Sequence, residues 1–137
     1  MRRFIGTMAF LLLLAGCAKR VEIPVYGDAN FSECQKGDCS TKLGFAPDSI
    51  LSIENAKECK VIFYEGKFFL IGDGFSNIWL GENEDDKIEF TPKKIENSPV
   101  SNISMDWDRG FLVISGKYAD GKDFRIVVDK KGKLNWE

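Results

Sequence analysis

From Cys59 onward, apolar and polar residues alternate at short range, the period-two pattern of half-buried strands. KVIFY (60–64) and KFFLI (67–71) flank Glu65-Gly66, and SNIWL (76–80) follows the turn Gly72-Asp73-Gly74. In KIEFT (87–91), Ile88 and Phe90 share one face while Lys87 and Glu89 share the other. Pro92 and Pro99 bracket a connecting loop, after which Ile103, Met105 and Trp107 alternate again. GFLVISGKYA (110–119) and KDFRIVVD (122–129) surround Asp120-Gly121, a dipeptide suited to a type I′ turn with positive φ at both central residues. A last turn at Lys131-Gly132 leads into KLNW (133–136).

Short strands joined by glycine turns predict an all-β fold, an antiparallel meander of about seven or eight strands closed as a small barrel or folded as a sandwich. One short helix competes for residues 48–57. Asp48 can cap it, yet Leu51 and Ile53 alternate around Ser52 as in a strand. Residues 48–137 are therefore the β domain. Residues 17–47, with Pro24, Gly27, Gly37, Gly44 and Pro47 and little periodicity, read as a tether and irregular lead-in.

The first 17 residues follow a different rule. Phe4 to Leu14 form an uncharged, mostly apolar run behind Arg2 and Arg3, ending in Leu14-Ala15-Gly16-Cys17. The run is shorter than the roughly 20 residues that span a bilayer, and its order of charge, apolar stretch and small residues is that of a secretory signal. It resembles the lipobox of bacterial lipoproteins. The resemblance implies a signal peptide over 1–16, cleavage between Gly16 and Cys17, a diacylglyceryl thioether on Cys17 and acylation of the new amino group. Three acyl chains exceed the two membrane signals that stable anchoring needs. Ala18 stands where an aspartate would favour inner-membrane retention, so the resemblance implies the inner leaflet of the outer membrane, facing the periplasm.

Charge narrows the partners. The full chain carries −2, and cleavage would remove Arg2 and Arg3 with no acid, leaving −4. Nucleic acid calls for a basic stripe, and a polybasic grip on lipid needs clustered cations; overall acidity argues against both. A basic envelope or periplasmic protein is electrostatically tolerated. The sequence has no histidine, which excludes Ser-His-Asp and Cys-His chemistry and a His-bearing zinc site. No cofactor motif and no metal-ligand set is expected; Cys34-x4-Cys39 alone lacks the further ligands. In an oxidising compartment, Cys34, Cys39 and Cys59 allow one disulfide. Cys34–Cys39 closes a short loop over Lys36-Gly37-Asp38, and Cys59 is the alternative partner for either.

Three groups of residues carry the remaining chemistry. Glu82, Glu84, Asp85 and Asp86 offer carboxylates to a hydrolase or a cation, but lack the graded spacing of a tight calcium loop and suit a solvated hairpin tip. Trp79, Trp107 and Trp136 are aromatic candidates; Trp79 sits in an apolar run and belongs to the core, whereas Trp107, between two aspartates, is the one expected at the surface. Finally, Ser115-Gly116-Lys117-Tyr118, followed by Lys131-Gly132, resembles the C-terminal motifs of membrane-bound inhibitors of c-type lysozyme, small lipoproteins with a β-barrel domain. The resemblance implies that Ser115 and Lys131 reach into the lysozyme cleft. It departs from the family in lacking one residue between Gly116 and Tyr118 and any cysteine after Cys59. The plainer reading is that Gly116 relieves a bend and Asp120-Gly121 turns the chain.

The sequence thus points to a lipid-anchored, periplasm-facing lipoprotein that binds rather than catalyses. Inhibition of c-type lysozyme is the alternative, and a carboxylate hydrolase the third reading.

Overall fold

Apolar alternation, broken by turn residues, produces nine strands and one helix among the described residues. A computed structural model describes residues 19–25, 45 and 47–137. In chain order the elements are β1 (Val21–Pro24), α1 (Asp48–Glu54), β2 (Lys60–Tyr64), β3 (Lys67–Ile71), β4 (Asn77–Glu84), β5 (Lys87–Lys94), β6 (Ser101–Asp108), β7 (Phe111–Lys117), β8 (Asp123–Val128) and β9 (Leu134–Trp136). They form two antiparallel sheets, β1-β5-β4-β3-β2 and β6-β7-β8-β9. The sheets do not close into a barrel; the arrangement is that of a sandwich.

The five-stranded sheet is apolar on both faces. Cross-strand register puts Val61, Leu70, Trp79 and Pro92 in one row and Phe63, Phe68, Gly81 and Phe90 in the next row of the same face. Ile62, Phe69 and Leu80 alternate onto the other face. Phe68, Phe69, Leu70 and Ile71 are all fully buried, so β3 has no solvent side. One face meets the four-stranded sheet, where Tyr64 packs its ring 5.4 Å from Trp107 over a core that includes Leu112, Ile114, Ile126 and Val128. The other face is covered by Phe45, whose ring lies 5.6 Å from Phe68 and 6.0 Å from Phe90, and by α1.

At seven residues, α1 is too short to persist alone. Its hold on the sheet comes from Glu54, a buried side chain at its last turn. Ser76 N–H donates to Glu54 Oε1 at 2.8 Å, while Asn77 Nδ2 and Trp79 Nε1 donate to Oε2 at 2.8 and 2.7 Å. Asn55, at φ 53°, then ends the helix in the left-handed conformation.

Several local expectations are corrected. Asp48 is the first helical residue and makes no cap; Pro47 precedes it, and Ile53 is exposed rather than strand-paired. Val21–Pro24, within the stretch read as an irregular lead-in, is an edge strand paired with Lys87–Phe90. Pro92, read as the start of a loop, lies inside β5, opposite Trp79. It is tolerated because β1 stops at Phe90, so β5 is an edge there and the missing N–H deprives no partner. At Asp120-Gly121 only Gly121 has positive φ. Tyr118 N–H donates to Lys122 O and Gly121 N–H to Tyr118 O, giving a three-residue loop with a left-handed glycine instead of a type I′ turn. Glu65-Gly66 and Arg109-Gly110 are the dipeptides with positive φ at both positions.

These connections divide the sandwich into two poles. The tips after β2, β4, β6 and β8 gather at one: Tyr64 Oη donates to Gly110 O, Lys130 approaches Glu65 at 4.0 Å, and Gly132 lies against Lys67. The loops after β3, β5 and β7 gather at the other, tied by Gly74 N–H to Val100 O and Ala119 N–H to Asn97 O.

Removing the acceptors that tie α1 down leaves three donors unsatisfied. Glu54→Ala is expected to lower unfolding free energy by about 3 kcal/mol or more. Glu54→Gln should lose less, because its carbonyl oxygen can still accept from Asn77 and Trp79 while its amide NH2 faces only the Ser76 N–H. Chemical denaturation of the two variants checks this; a loss below about 1 kcal/mol for both would remove Glu54 from this role.

Candidate functional site

Cys17, Gly16, Cys34 and Cys39 lie outside the described residues. Cys59 is a free thiol, 1 % exposed, immediately before β2. Burial, and then the nearby Glu58 and Asp48 carboxylates, push its pKa up to about 12. A thiol so far from ionising is a poor nucleophile. Cys59 is core, packed where Gly72 passes so close that a Cβ there would come within 2.5 Å of Glu58 O.

The lysozyme-inhibitor resemblance places two residues that the fold keeps apart. Ser115 is in the middle of β7, paired with Arg125 on one side and Ser104 on the other, its hydroxyl 3.2 Å from Ser104 Oγ. It is not on a loop. Lys131 belongs to the turn after β8, whose end at Val128 is three residues beyond Arg125, about 10 Å away along the strand. That turn is built around Asp129, whose Oδ1 accepts from Lys131 N–H at 2.8 Å and Lys133 N–H at 2.9 Å, holding its carboxyl below the ordinary range. Gly116 has a packing reason: a Cβ there would sit 2.8 Å from both Ser101 O and Ile103 Cδ1. The β6–β7 register shifts at this point, where Asn102 adopts φ 53°.

Ser115 does line a trough of about 590 Å³ on the outer face of β7 and β8. Its charged walls neutralise one another. Lys117 pairs with Asp123 at 2.8 Å, and Arg125 bridges Asp108 at 2.9 Å and Glu137 at 2.6 Å. The acidic stretch is likewise dispersed: Glu82 and Glu84 sit in β4, Asp85 and Asp86 in its hairpin tip, and Lys67 approaches Glu82 at 3.7 Å. Among the described residues no group of three metal-ligating side chains converges.

The tryptophans separate cleanly. Trp79 is fully buried and anchored on Glu54. Trp107 is 43 % exposed at the hairpin pole, against Tyr64. Trp136, 42 % exposed, stacks at 6.5 Å on Tyr118 and lies 5.7 Å from Phe124. Trp136 borders a cleft of about 450 Å³ between the edges of the two sheets, with Leu80 and Leu134 on its apolar walls and Lys93, Lys94 and Lys133 at its rim. Lys93 and Lys94 are exposed and make no ion pair among the described residues. A neighbouring pocket of about 240 Å³ joins Lys94 and Trp136 to Tyr118 and Glu96. Sequence reasoning placed Trp79 in the core and Trp107 at the surface, as found, but gave Trp136 no place of its own and read Lys93-Lys94 as loop; the lysine doublet at the end of an alternating strand was the available signal.

Comparison with family models, curated proteins and solved structures finds no match. Function therefore has to be argued from this chain's own residues.

Two outcomes test these assignments. Because Gly116 fills a place with no room for a side chain, Gly116→Ala should cost about 1–3 kcal/mol, as overpacking does. Ser115→Ala and Lys131→Ala should each stay within about 1 kcal/mol; thermal melts of the three variants compare them. For Cys59, the folded pKa lies above the unfolded value near 9, so its contribution is complete below pH 9 and drains away as pH rises toward 12. Stability between pH 9 and 11 should fall about 1 kcal/mol per pH unit more steeply in the native protein than in Cys59→Ala. Iodoacetamide should label Cys59 only after denaturation, as read by peptide mass mapping.

Proposed function

We propose that this chain is a lipid-anchored lipoprotein of the bacterial envelope that works by non-covalent binding to an envelope or periplasmic protein. The observation that carries it is the order Arg2-Arg3, uncharged apolar run, Leu14-Ala15-Gly16-Cys17, followed after only three residues by a folded strand, β1. A cysteine thiol is the strong nucleophile of that segment, and Ala15 and Gly16 leave its backbone open to a peptidase. Ala18 supports placement on the periplasmic side of the outer membrane.

A binding role draws support from what the surface offers. The charges of the large trough are spent on one another, and exposed aromatic area is concentrated at Trp107 and Trp136. Such rings are the residue type that dominates interface energetics. Anchoring supplies the mechanism: confinement to a leaflet raises the effective concentration for partners there, even when intrinsic affinity is modest.

Metabolic labelling with a fatty-acid analogue tests the anchor. Native protein should incorporate the label and partition with the membrane fraction. Cys17→Ser should lose the label and retain residues 1–16; undiminished labelling of Cys17→Ser would refute the assignment.

A further inference from the structure

We infer that the loop pole is the membrane-contacting end of the domain: Lys93 and Lys94 meet anionic phospholipid headgroups, Trp136 lies at the interfacial level, and the four hairpin tips with Trp107 project away from the leaflet. The inference rests on the anchoring proposed at Cys17 and adds an orientation to it.

Chain length sets the first constraint. Three residues separate Cys17 from Val21, and the four Cα–Cα steps span at most about 14 Å even when fully extended. Strand direction sets the second. β1 is antiparallel to β5, with Val21 opposite Phe90 and Pro24 opposite Lys87, so it enters the sheet from the loop pole. Arg20 lies near that entry, its guanidinium 3.6 Å from Glu89. Val21 stands at mid-strand: from Phe90 the loop-pole end of β5 at Lys94 lies four residues, about 13 Å, in the direction from which the tether arrives, and the hairpin-pole end at Lys87 three residues, about 10 Å, the other way. Strand direction therefore decides: a tether continuing the line of β1 leads to the loop pole, whereas contact through the hairpin pole would need the chain to double back along β1.

The side chains at the delivered end suit a headgroup layer. Lys93 and Lys94 close β5 at this pole, exposed and without ion-pair partners among the described residues, and Lys19 and Lys122 are exposed nearby. Glu96 is the acid that shares the Lys94 rim. Between the lysines and Tyr118 stands Trp136, with an apolar body and a polar N–H, the residue type that settles at membrane–water interfaces. Basic residues close to an anionic surface are drawn to it within a Debye length. The opposite pole carries both signs, Glu65, Glu84, Asp85, Asp86 and Asp108 standing among Lys67, Lys87, Arg109, Lys130 and Lys131. The orientation therefore rests on the direction of β1 and on Trp136 beside Lys93 and Lys94, unpaired among the described residues.

The test uses the full lipidated protein in vesicles of phosphatidylethanolamine and phosphatidylglycerol, made with or without brominated acyl chains. Trp107→Phe leaves Trp136 as the exposed reporter, and Trp136→Phe leaves Trp107; buried Trp79 is common to both. Flotation is measured first. Floating protein should show brominated-lipid quenching several-fold stronger in Trp107→Phe than in Trp136→Phe, and Lys93→Glu with Lys94→Glu in the Trp107→Phe background should weaken it. Equal or reversed quenching in floating protein, or quenching indifferent to the lysine changes, would overturn the orientation alone. Native protein that does not float would overturn the Cys17 anchor, and the orientation with it.

Discussion

A sheet that is apolar on both faces cannot stand in water on either. That is the condition imposed by β3, whose Phe68, Phe69, Leu70 and Ile71 are all without solvent exposure, and it dictates the rest of the molecule. One cover is the four-stranded sheet. The other is assembled from Phe45 and a helix too short to be stable on its own. Glu54 makes that second cover specific. Burying Trp79 strands an indole N–H, burying Asn77 strands an amide, and the carboxyl group of α1 accepts from both while also receiving Ser76 N–H. A buried acid would be costly alone; here three donors offset the lost hydration and fix the register of helix on sheet.

The fit between elements then depends on absent side chains. At Gly81 a Cβ would lie 2.6 Å from the Phe90 ring, so this glycine in the middle of β4 is what lets Phe90 lie flat on the sheet, near Phe45 and Phe68. Gly116 does the same where Ser101 O and Ile103 press on β7. Edges are handled differently. β1 covers β5 only from Lys87 to Phe90, leaving its far half unpaired, and that half carries Pro92, Lys93 and Lys94. Proline and lysine are the residues that keep a free edge from recruiting another strand. The same two lysines can therefore serve solubility and surface contact at once.

Strand positions with strong alternation and a tight turn were legible from sequence: KVIFY and KFFLI match β2 and β3 at both ends. What escaped depended on distant partners. VEIP (21–24) has four residues and a terminal proline, and becomes a strand only because Lys87–Phe90 offers it an edge. Residues 48–54 carried both helical and strand periodicity, and the choice falls to Glu54 and its three donors on and beside β4. Asp120-Gly121 has the composition of a two-residue turn, yet the residues flanking it extend the loop to Tyr118 and Lys122. The cleft beside Trp136 joins β5 to β9, which share no local signal, so no reading of either segment could reveal it. Ser115 was legible as part of the strand GFLVISGKYA, which β7 bears out, and that placement is what sets it apart from the loop position its motif implies.

The edge strand β1 changes what anchoring at Cys17 would mean. Had residues 18–47 all been tether, thirty flexible residues would give a root-mean-square reach of about 30 Å and free tumbling above the leaflet. Pairing of Val21 with Phe90 cuts the free chain to residues 18–20. A short leash restricts orientation as well as distance. Effective concentration rises for a partner that matches the presented face and vanishes for one that must reach the hidden face. On that argument, a domain anchored at Cys17 chooses its partner partly through a four-residue strand, whose hydrogen bonds to β5 decide which end of the sandwich faces outward.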